Sequence, residues 1–195
     1  VETGELLEAD TRINDSHLPE EFPGTYLQDP ERIYTVCLES LEKIFDQYMD
    51  ICSIGVTGQM HGIVYLDSRG KAVSPLYTWQ DKRGDQPFRG KTYASWLSME
   101  SGHLLSAGYG AVTHFYNVDN RMLPQESSVL CTIPDYVAMR LSGRERPLLH
   151  ASMAASIGIY DRIKGIFDQE KLDRLGMESR FFPEIVEEIP IGTWS

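Results

Sequence analysis

The sequence is short of several things, and each shortage removes a class of function. It has three cysteines, Cys37, Cys52 and Cys131, with no Cys-x-x-Cys spacing. That pattern supports neither a disulfide framework nor a thiolate zinc site, and it fits a reducing cytoplasm. Cys37, inside a helical pattern, and Cys52, inside an apolar run, read as small core residues. No apolar run approaches the ~20 residues that a membrane-crossing helix needs, and no signal-peptide pattern is visible. Basic residues are outnumbered, 18 Lys and Arg against 29 Asp and Glu, for a net charge of -11. Phosphate backbones and anionic lipid surfaces are held by clustered Lys and Arg, so the balance argues against nucleic acid and against a membrane. The acids are dispersed, as on an ordinary solvated surface. Also missing are the Gly-x-x-x-x-Gly-Lys-Ser/Thr phosphate loop, the Gly-x-Gly-x-x-Gly turn, the His-Glu-x-x-His metal motif and the Gly-x-Ser-x-Gly elbow. There is no internal repeat and no low-complexity tract.

What remains is 195 residues, 42% of them hydrophobic, enough for one domain with a real core. A turn at Thr3-Gly4 leads into a strand from Glu5 toward Asn14, and residues 15–28 read as a loop. Asp29 followed by Pro30 marks a helix start, and Ile33, Cys37, Leu41, Ile44, Phe45 and Tyr48 continue it over 30–48. Ile51 to Val56 reads as a buried parallel strand. Residues 62–67 and 71–79, around Ser68-Arg69-Gly70, read as a hairpin. Further helices are expected over 93–101, over 111–123 with Pro124 as its stop, over 132–141 with Gly143 as cap, and over 168–175 ending at Gly176. The small residues of 150–161 allow backbones to pack closely, and Phe181-Phe182-Pro183 leads into an extended 184–189. The order describes an α/β fold, a mixed sheet with flanking crossover helices.

The chemistry is concentrated between Ile51 and Arg83. Gln59, Met60 and His61 lie between Gly58 and Gly62, where glycines let backbone turn sharply and approach a ligand. Gln and neutral His both donate and accept hydrogen bonds, which suits a ligand rich in hydroxyls. His61 equally reads as a structural histidine bonded to backbone. The second cluster is Trp79, Gln80 and Asp81 with Arg83. An indole face stacks on the C–H face of a sugar while Gln80 and Asp81 bind hydroxyls; the alternative is a core tryptophan beside a surface Asp81–Arg83 ion pair of little worth. His17, His103, His114 and His150 are scattered and read as non-functional. Tyr109 and Tyr116 with His114, near Gly108 and Gly110, form either a second wall of a pocket or core packing.

Three segments, GVTGQMHGIVYLD, PLYTWQDKR and TIPDYVAMRLSGRERPLLHASMAASIGIYD, resemble the FGGY family of carbohydrate kinases in the right order. The Trp-Gln-Asp form and IPDYVAMRLSGRERPLL are most similar to its sedoheptulokinase branch; xylulokinases more often carry Asn where Gln80 stands. The resemblance implies a ribonuclease-H-like fold of the actin and hexokinase superfamily, in which two lobes close over ATP-magnesium and a small-molecule sugar. Met60 and His61 match the family's sugar-contacting pair, and Gln59, Trp79, Gln80 and Asp81 match positions lining the same pocket. The family's Asp-x-Gly-Thr motif would lie before Val1, and its catalytic Asp shortly after Ile191-Gly192-Thr193. Residues 1–195 are therefore expected to form an incomplete N-terminal lobe without the first strand, the catalytic residue, metal ligands or the nucleotide-binding lobe. ATP and Mg2+ would belong to the parent protein, a cytoplasmic ketose kinase, and the isolated segment would be inactive. Kinases of xylulose, ribulose or gluconate, and a non-catalytic sugar-binding or assembly module, remain open. A sheet lacking its first strand would expose an edge that invites self-association as a homo-oligomer.

Overall fold

The computed structural model describes residues 4–187. Strand β1 (Leu27–Gln28) leads directly into helix α1 (Pro30–Gln47). The Asp29 carboxylate accepts the amides of Glu31 and Arg32 at 2.9 and 3.2 Å, and Pro30, which has no amide hydrogen to lose, occupies the first turn. Strands β2 (Val64–Leu66) and β3 (Leu76–Tyr77) follow. They belong to one hairpin, since Ile63 and Tyr77 exchange backbone hydrogen bonds at 3.0 and 2.9 Å. The Asp67 side chain closes the turn by accepting from the amides of Arg69 and Lys71.

A 3-10 turn (Arg83–Asp85) and the small hairpin β4 (Pro87–Phe88) and β5 (Lys91–Thr92) connect to α2 (Tyr93–Ser101) and α3 (Gly110–Asp119). Then come β6 (Val129–Cys131), α4 (Ile133–Leu141), β7 (Leu148–His150) and α5 (Ala151–Ile157). The remainder is β8 (Tyr160–Asp161), β9 (Ile166–Phe167), α6 (Gln169–Arg174), a second 3-10 turn (Ser179–Phe181) and β10 (Glu184–Val186). Helices α4 and α6 end as expected. Gly143 and Gly176 adopt φ of 65° and 76°, and the next amides, of Arg144 and Met177, return to the carbonyls of Met139 and Leu172.

The centre is an antiparallel array. β1 pairs with β3, the Ile63–Tyr77 bridge joins β3 to the β2 segment, and β2 pairs with β6. A bridge from His17 to Gln28 adds the preceding segment to the outer edge of β1. Ile63, Val64, Tyr65 and Leu66 are all fully buried because both faces of the array are covered. Val64, Leu66 and Leu76 face α4 and the Ile33 and Tyr34 side of α1. Ile63 and Tyr65 face the larger cluster built from α2, α3, α5 and α6. β7 and β10 form a parallel pair beside α5, so the sheets are mixed, as expected for an α/β fold.

The structure corrects several expectations. Residues 4–14 form no strand; they lie along α1, where Asp10 bonds Lys43 at 2.8 Å and Arg12 at 2.6 Å. Ile51 to Val56 is neither paired nor buried, because among the described residues no strand lies beside it, and an apolar run without a ladder partner stays an open segment. Cys52, in that run, is therefore exposed, Cys37 is half-buried, and Cys131 in β6 is the buried thiol. Helix α3 stops at Asp119, ahead of Pro124. The small-residue run contains a helix, α5, and the glycine that ends it has a packing reason: a Cβ at Gly158, whose φ is 101°, would lie 2.7 Å from the Leu105 side chain. Residues 188 and 189 of the expected terminal strand, and Ile191 to Thr193, lie outside the described residues.

Candidate functional site

Because β2 and β3 are antiparallel, the residues before β2 and after β3 lie at the same end of the hairpin. The two polar clusters of the sequence are thereby brought together. Gly62 is required there: a Cβ would stand 2.6 Å from the Tyr77 carbonyl. Its amide returns to the Met60 carbonyl at 2.9 Å across His61, whose φ is 72°. This is the γ-turn with a positive central φ, rare and strained for a residue with a side chain. The turn is held from outside. The His61 amide donates to Ser156 Oγ at 3.3 Å, and Nδ1 lies 2.6 Å from the Ser156 carbonyl. A carbonyl only accepts, so Nδ1 carries a proton, and in that tautomer Nε2 is the ring's acceptor. The ring packs on Tyr109 with centroids 4.3 Å apart.

Tyr109 reaches His61 because of Gly108. A Cβ on Gly108 would lie 1.8 Å from the Trp79 carbonyl, so backbone rests on backbone there. Of the aromatic trio in the sequence only Tyr109 joins the site. Tyr116 packs on Tyr93 with centroids 4.8 Å apart, and His114 is buried, bonded to the Tyr65 hydroxyl and the Met177 carbonyl. Burial lowers the pKa of His114 to about 4.

Gln59, Trp79 and Gln80 line one cavity of about 210 Å³. Its other walls come from residues the sequence did not single out for this purpose: His17, Tyr26, Gln28 and Thr78. Gln28 is 5% exposed, and its Oε1 accepts from Gln59 Nε2 at 2.8 Å. No spacing rule predicts this meeting, since the β1–β3 pairing and the His17 bridge create it. Met60 is 46% exposed and Trp79 54%, so large apolar surface stands open at this end of the molecule.

Asp81 lies beneath the cavity and does not line it. Its Oδ1 accepts from the Arg83 amide and Nε at 3.0 and 2.8 Å, and its Oδ2 from the Tyr26 amide at 3.1 Å. Both partners are fully buried at their side chains, so this is not the surface ion pair that the sequence allowed. Arg83 also donates to Asn117 Oδ1 at 2.6 Å and lies over the Tyr77 ring at 4.2 Å. Asp81 is thus fitted to fix the Trp79–Gln80 turn and the Tyr26 wall.

The fold is an α/β domain with a polar cavity at one end of its central hairpin. The model of the FGGY family of carbohydrate kinases, N-terminal domain, matches residues 2–191, and the chain belongs to that family. It is 31% identical over 179 residues to the sedoheptulokinase of Mus musculus, covering 82% of this chain and 36% of that protein. The human sedoheptulokinase gives 31% over 180 residues, with the same two shares of 82% and 36%. Among solved structures, a xylulose-type kinase from Brucella ovis superimposes with a TM-score of 0.74 at 22% identity, over 87% of this chain and 36% of its own. The Plasmodium falciparum glycerol kinase with ADP gives 0.76 at 17% identity, over 98% and 40%. The chain thus spans about a third of the length of the curated relatives it matches.

Proposed function

We propose that this chain is the sugar-holding part of an ATP-dependent carbohydrate kinase that phosphorylates a ketose such as sedoheptulose in the cytoplasm. The observation that carries the reading is a cavity lined by the Gln28, Gln59 and Gln80 amides, with Gln59 two residues before His61 on the turn that closes at Gly62. A sugar hydroxyl donates to Nε2 of His61, Tyr109 and Trp79 offer rings to the sugar's C–H faces, and the Gln59 and Gln80 amides take further hydroxyls. Met60 supplies apolar contact at the rim. Asp81 keeps the turn in place from below.

In phosphoryl transfer the protein's contribution is largely the placement of the hydroxyl and stabilisation of charge on the phosphates. This chain supplies the first. Among the described residues no three His, Cys, Asp or Glu side chains converge as a metal site.

The test is kinetic. In the full-length protein, His61→Ala is expected to raise the apparent KM for the sugar at least tenfold while leaving that for ATP within about twofold. An unchanged sugar KM would remove His61 from the site. The isolated 195-residue chain is expected to release no ADP above background with ATP and sugar.

A second substrate reading has its own support. The xylulose kinase of Staphylococcus xylosus is 42% identical over 60 residues, 30% of this chain. A substrate panel on the full-length protein separates sedoheptulose from xylulose, ribulose and gluconate. A non-catalytic module on the same fold would turn over none of them.

A further inference from the structure

The candidate site has two unlike ends. His61, half-buried, stands at one of them, and no hydrogen bond of its Nε2 is formed among the described residues. The other end is the cavity of about 210 Å³, which is closed at its base by the buried amide of Gln28. A phosphoryl donor needs access along the line of attack to the hydroxyl it modifies. A sugar end seated against the buried Gln28 amide lies away from that line, and the end left outside the cavity does not.

The cavity's chemistry is also specific. No Asp, Glu, Lys or Arg lines it. The Gln28–Gln59 bond uses one acceptor and one donor, leaving Gln28 Nε2 and Gln59 Oε1 without protein partners. The Gln80 side chain and the His17 ring are uncommitted as well, whereas the Thr78 hydroxyl is spent on the Tyr26 carbonyl and the Gln80 amide. The unspent amides carry no charge and mix donors with acceptors. Tyr26 and Trp79, 42% and 54% exposed, wall them in. Neutral mixed pairing with aromatic faces matches successive C–OH units, and it offers nothing to a carboxylate or a phosphate.

We propose that this cavity is a tail subsite: it holds the non-reacting hydroxylated end of the sugar, so the site selects long neutral ketoses over shorter ones and over sugar acids. The inference rests on the carbohydrate-kinase reading above. His17, brought to the edge of β1 by its bridge with Gln28, and Gln80 are its specificity-determining residues.

The experiment compares seven-carbon sedoheptulose with five-carbon xylulose on the full-length protein, in wild type, His17→Ala and Gln80→Ala. Both positions are exposed, so neither change threatens the fold. The expected result is a fall of about fivefold to tenfold in the ratio of kcat/KM for sedoheptulose to that for xylulose, carried by KM, as for one lost hydrogen bond to a hydroxyl. An equal loss on both sugars, no loss on either, or a wild-type preference for gluconate over sedoheptulose would overturn the proposal. A wild type that phosphorylates no sugar would remove the kinase reading instead, and equilibrium binding without ATP then decides on the cavity. Tighter binding of sedoheptulose than of xylulose, levelled by His17→Ala, sustains the tail subsite, and equal binding or none overturns it.

Discussion

At the scale of single residues, the buried Asp81–Arg83 pair carries the largest stake. The two groups are kept out of water because each satisfies the other, with Asn117, the Tyr26 amide and the Glu21 carboxylate, 3.8 Å from the guanidinium, adding to the set. Removing one partner leaves an uncompensated buried charge, which costs about 3–5 kcal/mol. Arg83→Met and Asp81→Asn are each expected to lower unfolding free energy by about that much, and the double change by less than the sum, as denaturant titration would show. Additive losses would mean that the pair is not coupled. The two residues were legible as polar neighbours of Trp79, but their burial was not. Position in sequence does not reveal that α3 will close over them with Asn117, or that Tyr77 will lie 4.2 Å beneath the guanidinium. The Nε2 acceptor of His61 was likewise hidden, since the ring's tautomer is set by a carbonyl far along the chain, at Ser156.

At the scale of elements, local rules read well wherever the signal is local. The Asp29-Pro30 start of α1 and the Gly143 and Gly176 ends of α4 and α6 each follow from one side chain or one backbone conformation. Asp29→Ala is accordingly expected to cost about 1 kcal/mol, measurable as a shift in denaturation midpoint. The same sequence patterns failed where pairing partners decide. Ile51–Val56 has strand composition and no ladder, while Leu27–Gln28, inside an apparent loop, becomes a strand because Tyr77 and Leu76 lie opposite. The cavity inherits this limit. Gln59 and Trp79 flank a hairpin that is visible in the sequence, but Gln28 and His17 arrive through long-range pairing that no motif announces.

At the scale of the whole molecule, two buried groups titrate against each other. His114 is pushed down to about 4 by burial, so between its ordinary 6.5 and that value the unfolded chain binds the extra proton and stability falls as pH falls. Asp135, at the start of α4, is pushed up to about 6, chiefly by burial although Thr132 donates to it. From 3.8 to that value the folded chain binds the extra proton, and stability rises as pH falls. The windows overlap and the signs are opposite, so these two groups leave stability nearly level between pH 6 and 4. Asp135→Asn removes one side. Its unfolding free energy is expected to drop by about 1.4 kcal/mol per pH unit across that interval. A variant with the flat profile of wild type would show that His114 does not titrate as described.

The contact of Gly108 with the Trp79 carbonyl limits how the candidate site can diversify. One boundary of the site is made of main chain against main chain, where any added side-chain atom would fall 1.8 Å from an oxygen. Natural drift or laboratory selection cannot reshape that boundary by exchanging side chains. New substrate preferences have to be written on the opposite boundary, at exposed positions such as His17 and Gln80, where substitution leaves the packed interior intact.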